Sequence, residues 1–329
     1  MKKALLRLTL LVAVIVVAVS TWAALEGHRR FTGPGPLAEP ATVVIPKGAG
    51  LGAIARRLVE AGIVRDVYSF QIGVRMRGVT LRAGEYGFSA RISAEDAMRQ
   101  MAEGRTIVHR LTIAEGLTVK QVADLVAKAD FLAGEVGKLP PEGWLLPETW
   151  HLSRGDDRGE LMDRMEKAMR QELEQAWEKR DRGLPLKNPI EALVLASVVE
   201  RETGLAAERP KVAAVFLNRI RLGMRLQSDP TVIYGLSDGA GFLDRPLTRA
   251  DLEKSHRWNT YAIDGLPATP IANPGKASIE AVLHPAATDA LYFVADGSGG
   301  HVFAKSLDEH NRNVAGWRRV ERERKAGKK

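Results

Sequence analysis

The chain has 329 residues, 45% of them hydrophobic and 27% charged, which is enough for one large folded core with a smaller module beside it. It contains no cysteine, so disulfides, thiolate nucleophiles and cysteine-based metal sites are excluded. The net charge of +8 is concentrated at the ends: residues 1–30 carry +4 and residues 317–329 carry +5, which leaves about −1 between them. The body therefore lacks the basic surface that tracks a phosphate backbone, and we expect no nucleic-acid partner.

The N-terminus contains a segment that fits a membrane span. Leu8 to Leu25 is 18 residues without a charge, and Lys2, Lys3 and Arg7 precede it. This length crosses a bilayer as one helix, and the positive flank predicts that the N-terminus stays in the cytoplasm while the rest of the chain lies outside. A cleaved signal peptide shares these features, but its apolar region is usually shorter, and Trp22 suits an interfacial anchor. We predict an uncleaved anchor in residues 1–30.

A small module is predicted after the anchor. Residues 31–41 are rich in Gly and Pro and indicate a short, stiff linker. The module then covers residues 42–108, beginning with a β-branched strand, a Gly turn and an amphipathic helix. A turn and a short strand at 82–88 precede a helix over Ala94–Glu103, with Ser93 as its N-cap.

The remaining residues, 109–329, are predicted to form one larger domain. A second strand, Gly turn and helix unit begins it, and a long polar helix is expected over residues 159–182. Asn188-Pro189 caps a nearly uncharged helix that runs to about Glu202, and a further helix covers residues 208–222. The predicted fold class is therefore α+β, with helices packed beside small mixed sheets. The basic tail at 317–329 is interpreted as a solvated helix end.

Glu200 is the leading candidate for chemistry. It follows an uncharged run in its helix, where desolvation disfavours an ionised carboxylate, so it can hold a proton near neutral pH as a general acid must. The alternative is that the helix simply reaches water there. Glu202 is displaced by about 200° around the helix axis and should face elsewhere, which leaves one isolated carboxylate.

A polar segment, residues 227–231, follows the two helices and is predicted to be a loop. Asp229 in this loop would suit a second carboxylate of a glycosidase, although Asp-Pro is also an ordinary turn initiator. The stretch 258–261, Trp-Asn-Thr-Tyr, places amide and hydroxyl groups beside aromatic faces, as sugar recognition does. Histidine spacing gives no metal motif, and neither a P-loop nor a GxSxG elbow is present, so we expect no metal ion or cofactor.

Several motifs together resemble one family, the endolytic murein transglycosylases of the MltG/YceG-like type. The motifs are ASVVERET at 196–203, ERPKVAAVFLNRIRLGMRLQSDPTVIYG at 208–235, WNTYAIDGLPATPIANPG at 258–275, AVLHPA at 281–286, LYFVADGSGGHVF at 291–303 and HN at 310–311. The anchor, VVIPKGAGL, AGEY and LLPETW at 145–150 follow the family's order, so the resemblance covers nearly all of the chain. Glu148 and Trp150 depart from the Asp and Tyr that the family often shows.

The resemblance implies a lytic transglycosylase in a bacterial inner membrane, with its catalytic domain in the periplasm. Such an enzyme cuts the β-1,4 bond between N-acetylmuramic acid and N-acetylglucosamine within peptidoglycan strands, leaves 1,6-anhydro ends and so terminates the elongation of nascent strands. Residues 42–108 look like a LysM-type module, and peptidoglycan synthases are implied as partners. A hydrolytic muramidase and a non-catalytic wall-binding scaffold remain the alternatives.

The resemblance also implies roles for individual residues. Glu200 is expected to act as acid and then as base. The predicted contacts to the sugar are Gln227, Asp229, Thr231, Tyr234, Asn259, Thr260, Tyr261 and Glu148.

Overall fold

The computed structural model describes the backbone of residues 2–326 and the side chains of residues 6–324. The side chains of Lys2 and Lys3, and those of the three lysines of the predicted basic tail, lie outside this range. The chain divides into two compact units: unit 1 is Met1–His109 with His151–Asp156, and unit 2 is Arg110–Trp150 with Asp157–Lys329. Whether these units correspond to the predicted functional domains stays a prediction.

Unit 1 begins with the long apolar helix and continues as a strand–helix–helix–strand motif. Strand β1 (Ala41–Ile45) pairs antiparallel with strand β2 (Gly84–Phe88), with Val43 opposite Tyr86, and the helices pack a core around Leu58, Phe70 and Met101. The predicted cap of helix α4 (Ala94–Glu103) is confirmed, because the Ser93 hydroxyl accepts a hydrogen bond from the Asp96 N–H at 3.0 Å. The elements are α1 (Lys2–Thr32), β1 (Ala41–Ile45), α2 (Leu51–Glu60), α3 (Val67–Arg77), β2 (Gly84–Phe88) and α4 (Ala94–Glu103).

Helix α1 has the composition of a membrane span. Among the described residues it is the one helix long and apolar enough to cross a bilayer, over Leu6–Thr32, and its apolar stretch is not buried in the protein. The predicted linker after it is packed against unit 1, because Phe31 and Leu37 are both buried in the core. The Gly35 N–H donates to the carbonyl of Ile92 at 3.1 Å, which fixes the segment further.

The second set of elements builds most of unit 2. The elements are β3 (His109–Thr112), α5 (Val119–Lys128), β4 (Thr149–Leu152), α6 (Arg158–Lys179), α7 (Pro189–Glu202), α8 (Arg209–Arg221), α9 (Asp229–Leu236), α10 (Arg249–Glu253), α11 (Lys276–Leu283), β5 (Tyr292–Ala295), β6 (His301–Ala304) and α12 (Leu307–Ala326). β3 pairs with β4, and β5 pairs with β6 in an antiparallel hairpin. The described sheets are therefore two-stranded pairs rather than mixed sheets.

Helix α7 is the centre of unit 2. Its residues 192–199 are all buried, and α6, α8, α9 and α11 pack around it. The Asn188 side chain accepts from the Glu191 N–H at 3.0 Å, so the predicted cap is confirmed. This packing leaves the C-terminal end of α7, with Glu202 as its last residue, as the part that reaches an open surface.

The segment predicted as a loop at 227–231 forms the start of a helix instead. α9 begins at Asp229, with Ser228 at the N-cap position and Pro230 in the first turn. Proline suits the first turn of a helix because the N–H that it lacks has no partner there. The prediction of a loop was wrong because Asp-Pro also starts helices.

Candidate active site

An open cleft with a volume of about 560 Å³ lies in unit 2 where the end of α7 meets the start of α9. The opposite wall comes from β5 and from the first two turns of α12. Its polar and aromatic lining includes Glu202, Arg219, Gln227, Asp229, Tyr261, Tyr292, His310 and Asn311. The cleft thus combines carboxylates, amides and aromatic faces, which are the groups that bind a carbohydrate.

Glu202 lines the cleft as a carboxyl group that can hold a proton. Burial raises its pKa to about 7, while a hydrogen bond from Ser228 opposes the rise and the negative charge of Asp229 adds to it. The Ser228 hydroxyl donates to the Glu202 carboxylate at 2.5 Å. A pKa of about 7 leaves both protonation states well populated near neutral pH, as acid/base catalysis requires.

Ser228 is held in position by two buried threonines. Its N–H donates to the Thr260 hydroxyl at 2.9 Å, and the Thr231 hydroxyl donates to its carbonyl at 2.6 Å. The two threonine hydroxyls are themselves 2.9 Å apart. Both side chains are fully buried, so they fix the Ser228 hydroxyl that faces Glu202 rather than line the cleft.

Asp229 and Tyr261 form a second polar pair in the cleft. The Tyr261 hydroxyl donates to a carboxylate oxygen of Asp229 at 2.6 Å. Burial and the neighbouring Asp229 raise the pKa of Tyr261, so its hydroxyl stays protonated and available as a donor. Asn259 fixes this turn from within: it is fully buried, its amide donates to two backbone carbonyls, and its oxygen accepts from the Tyr261 N–H.

Gln227 holds a strained backbone conformation at the edge of the cleft. Its φ is 53°, in the left-handed region that residues other than glycine rarely adopt. Its N–H donates to the Thr260 carbonyl at 3.1 Å, which maintains the conformation. Strain of this kind concentrates at functional sites, where surrounding contacts hold the residue in place.

The opposite wall is a stack of a cation and two rings. The Arg219 guanidinium lies 5.1 Å from the Tyr292 ring, and that ring stacks on His310 at 5.1 Å. Arg219 also donates to the carbonyls of Leu226 and Leu291, at 2.8 and 2.7 Å, so it ties the two sides of the cleft together. Burial and the charge of Arg219 lower the pKa of His310, and its Nδ1 has no hydrogen-bond partner among the described residues.

Glu200 lies away from this cleft. One of its carboxylate oxygens accepts from Arg209 at 3.0 Å, and the other accepts from the Gly275 N–H at 2.9 Å. Only 4% of its side chain is exposed, and the Arg209 guanidinium pairs with it. The catalytic role that the sequence predicted for Glu200 stays a prediction.

Comparison with known proteins gives the family. Residues 43–316 match the YceG-like family. The chain belongs to the YceG-like family. It is similar to the endolytic murein transglycosylase of Bacillus subtilis strain 168, at 31% identity over 82% of each chain. It is also similar to the protein of the same name from Streptococcus pneumoniae D39, at 28% identity over 83% of this chain and 58% of that one.

A solved structure supports the same membership. A YceG-like protein from Listeria monocytogenes is 30% identical and superposes with a TM-score of 0.52, over 83% of this chain and 98% of that one. The fold and the cleft described above therefore belong to a YceG-like protein.

The sugar contacts that the sequence predicted fall into three groups in this YceG-like chain. Gln227, Asp229 and Tyr261 line the cleft beside Glu202. The buried residues Thr231, Asn259 and Thr260 support its walls, and their contact with a sugar stays a prediction.

Tyr234 and Glu148 lie elsewhere. Tyr234 is buried, and its hydroxyl donates to Glu142 at 3.2 Å. Glu148 is paired with Lys276 at 3.0 Å and does not line the cleft. Whether either side chain contacts a bound sugar stays a prediction.

Sequence reasoning did not assign a role to Glu202, Ser228 or Arg219. The sequence signal for Glu202 was its spacing of two residues from Glu200. Helical geometry correctly places the two glutamates on different faces of α7, but it does not tell which of these faces borders a cleft. No group of three or more His, Asp or Glu side chains in the described part of the chain is arranged to hold a metal ion.

Proposed function

We propose that this YceG-like chain is an endolytic murein transglycosylase, a lyase that cuts peptidoglycan strands internally, and that Glu202 is its acid and base. One observation carries the assignment of Glu202: in a cleft lined by carboxylate, amide and aromatic groups, burial raises the pKa of this carboxyl group to about 7. Glu200, which the sequence favoured, instead has both oxygens engaged by Arg209 and Gly275.

Glu202 serves both proton transfers of the reaction. Protonated Glu202 donates its proton to the glycosidic oxygen as the bond from C1 of N-acetylmuramic acid to the leaving N-acetylglucosamine breaks. The resulting carboxylate then accepts the proton of the muramic acid's own C6 hydroxyl, whose oxygen bonds to C1. The products are a free 4-hydroxyl and a 1,6-anhydro end, and no enzyme nucleophile or water is consumed.

Asp229 stabilises the positive charge that develops on the sugar ring in the transition state. Its carboxylate lies in the same cleft as Glu202 and is oriented by the Tyr261 hydroxyl at 2.6 Å. Gln227 offers an amide to sugar hydroxyls, and the Tyr292 ring offers a flat face to a sugar ring.

The rest of the chain places this chemistry at a membrane. α1 anchors the protein in the inner membrane, and the basic residues before it keep the N-terminus in the cytoplasm and the catalytic unit in the periplasm. The β1–α2–α3–β2 motif acts as a LysM-like unit that binds glycan, which its small antiparallel pair and two helices support. Peptidoglycan synthases as partners stay a prediction from the resemblance.

Purified full-length protein in detergent, incubated with peptidoglycan, tests the activity and the assignment. Mass spectrometry of the released glycans should show 1,6-anhydro ends on fragments longer than a disaccharide. Glu202→Gln should lower the rate of product formation at least about 100-fold, since acid/base catalysis contributes a factor of about 10² to 10⁴ to the rate. A far-UV circular dichroism spectrum and a melting curve establish that the variant is folded.

Three other outcomes count against parts of the proposal. Reducing ends in place of anhydro ends would indicate a hydrolytic muramidase with Glu202 and Asp229 as its carboxylates. Full activity of Glu202→Gln together with a folded but inactive Glu200→Gln would return the catalytic role to Glu200. No cleavage by the folded wild type, with retained binding to peptidoglycan, would indicate a scaffold.

A further inference from the structure

Helix α3 in unit 1 has an apolar face that no described part of the protein covers. Tyr68, Ile72 and Met76 recur every four residues and therefore lie on one side of the helix. Their exposed fractions are 78%, 55% and 82%. The opposite side of α3, with Phe70 and Val74, is buried in the core of unit 1. An exposed apolar face of this kind marks a contact surface.

This face is continuous with the surface of the apolar helix α1. A groove of about 440 Å³ runs between the two helices, with Ala23, Ala24 and Gly27 on the α1 side and the exposed α3 residues on the other. A lipid surface that surrounds the end of α1 therefore adjoins the α3 face, although His28, Ser69 and Arg77 also line the groove.

The end of α1 is fixed to α3 by a buried aromatic contact. The Phe31 ring is 97% covered, and its centroid lies 6.5 Å from that of Phe70. The Arg77 guanidinium lies 4.6 Å above the same ring. A Cβ atom at Gly73 would come within 2.2 Å of it, which shows how closely α3 approaches Phe31. The two helices therefore move together, and the depth of α1 in a bilayer sets the height of α3.

The height of the α3 face matches the interfacial layer. The uncharged run of α1 ends at Leu25, and Trp22 near this end is exposed, as an interfacial aromatic is. Ala23, Ala24 and Gly27, which border the exposed α3 residues across the groove, lie within two residues of Leu25 and therefore within about 3 Å of it along the helix axis. Amphipathic helices lie with their apolar face about 5–10 Å deep at this boundary.

The charge of α3 also suits a phospholipid surface. The helix contains no acidic residue, and Arg75 on it and Arg65 just before it are exposed, while Arg77 is paired with Glu95 and the N-cap residue is Asp66. Basic residues beside an apolar helical face favour anionic headgroups.

We propose that α3 lies on the outer surface of the bilayer that α1 spans, with Tyr68, Ile72 and Met76 inserted between the headgroups. This rests on the proposed membrane anchoring by α1. Unit 1 is then held by two contacts, a spanning helix and a surface helix, which fixes its tilt and its rotation about the anchor. An anchor alone leaves both free.

The absence of cysteine allows a direct test, because single cysteines can be placed and spin-labelled in the full-length chain. The protein is reconstituted in nanodiscs of phosphatidylethanolamine and phosphatidylglycerol, one copy per disc. Labels at Ile72→Cys and Met76→Cys report the α3 face. Val14→Cys in α1 is the hydrocarbon reference, and Glu60→Cys, exposed on α2, is the aqueous control within the same unit. The depth of each label is measured by comparing its collision rate with oxygen and its collision rate with a water-soluble nickel chelate.

The label at position 14 should give a hydrocarbon signal, and the label at position 60 an aqueous signal. The labels at positions 72 and 76 should give an interfacial signal, with a nickel collision rate at least threefold lower than at position 60. Positions 72 and 76 matching position 60, while 14 reads hydrocarbon, would overturn the surface contact and leave the anchor intact. An aqueous signal at 14 would overturn both. Spin–spin broadening at 76 in discs with several copies, with no protection in single-copy discs, would assign the face to a second copy of the chain.

A charge substitution gives the matched control. Met76→Glu should move the label at position 72 toward the aqueous value, because a carboxylate resists entry into the interface. Val108→Glu places the same charge at an exposed apolar position elsewhere in unit 1 and should leave the label at 72 unchanged. Equal effects of the two substitutions would contradict the proposal.

Discussion

The Ser228 hydroxyl donates a 2.5 Å hydrogen bond to the carboxylate of Glu202, at the point where α7 and α9 meet. This bond favours the ionised form of Glu202 and therefore opposes the upward effect of burial on its pKa. Two buried threonines hold Ser228, so the pKa of the acid depends on residues from three parts of the chain.

Ser228→Ala should therefore raise the pKa of Glu202. A lost hydrogen bond to a charged group, about 1.5 kcal/mol, corresponds to about one pH unit. Because the protonated form donates the first proton, the alkaline limb of the kcat/KM profile should move upward by that amount. Anhydro-product release measured from pH 5 to 9 checks this. Ser237→Ala, in the turn after α9, is the control and should leave the limb in place.

Glu142 should make the protein less stable as the pH rises. Burial raises its pKa to about 7. Hydrogen bonds from the Val119 N–H, the Tyr234 hydroxyl and the Gly143 N–H lower the pKa and oppose this rise. The carboxyl group binds its proton more tightly in the folded state than in the unfolded state, where its pKa is near 4.5. This preference stabilises the folded state fully below that pH, and the contribution is lost as the pH rises through about 7.

Glu142→Gln should remove this part of the pH dependence. The contribution is on the order of 3 kcal/mol at most. Melting temperatures at pH 5 and pH 8 should therefore differ less in the variant than in the wild type. Glu148→Gln, at an exposed position outside the cleft, should keep the wild-type difference. An unchanged difference in Glu142→Gln would contradict the raised pKa.

Arg209→Met should destabilise unit 2 strongly. The substitution leaves the carboxylate of Glu200, whose side chain is 4% exposed, without its cation. Removing one partner of a buried ion pair costs about 3–5 kcal/mol of stability. Urea unfolding should show a smaller loss in Glu200→Gln/Arg209→Met than the sum of the single losses. Arg249→Met breaks the exposed pair with Glu253 and should cost no more than about 1 kcal/mol.

Gln227 allows backbone strain to be separated from side-chain function. At a φ of 53°, Gln227→Gly relieves a cost of about 1–2 kcal/mol that Gln227→Ala retains. The glycine variant should therefore be the more stable of the two in urea unfolding. Both lack the amide, so if it binds sugar hydroxyls both should show a raised KM. A wild-type KM in both would remove Gln227 from the substrate contacts.

Gly73→Ala should loosen the contact between α1 and α3. The added methyl group would meet the Phe31 ring at 2.2 Å, and overpacking of this kind costs about 1–3 kcal/mol. Gly52→Ala is the matched helical control, since its Cβ meets only flexible side-chain ends at 3.4 Å or more, and it should be neutral or stabilising. Melting curves of the two variants decide.

Local signals in the sequence predicted many elements correctly. Ser93 and Asn188 are caps of α4 and α7 in the structure, because an N-cap depends only on the next three residues. The end of α7 at Glu202 was likewise predicted. The start of α9 was missed, because a Ser-Asp-Pro sequence is compatible with both a turn and a first helical turn.

The roles of the two glutamates could not be separated in the same way. Desolvation of Glu200 was inferred correctly from the uncharged residues before it. Its compensation, however, comes from Arg209 and from Gly275, 75 positions further along the chain. The cleft around Glu202 is likewise built from α9, β5 and α12, so its pKa is a property of tertiary contacts rather than of α7 alone.

Because helix α12 forms part of the cleft, the cleft is complete only late in the synthesis of the chain. Glu202 enters the growing chain more than 100 residues before His310 and Asn311, which complete the opposite wall of its cleft. A polypeptide that stalls or is trimmed before residue 307 would contain Glu202 and the β5 part of the opposite wall but would lack the part that α12 supplies. The lining of the cleft is therefore complete only after Val314 has been added to the chain.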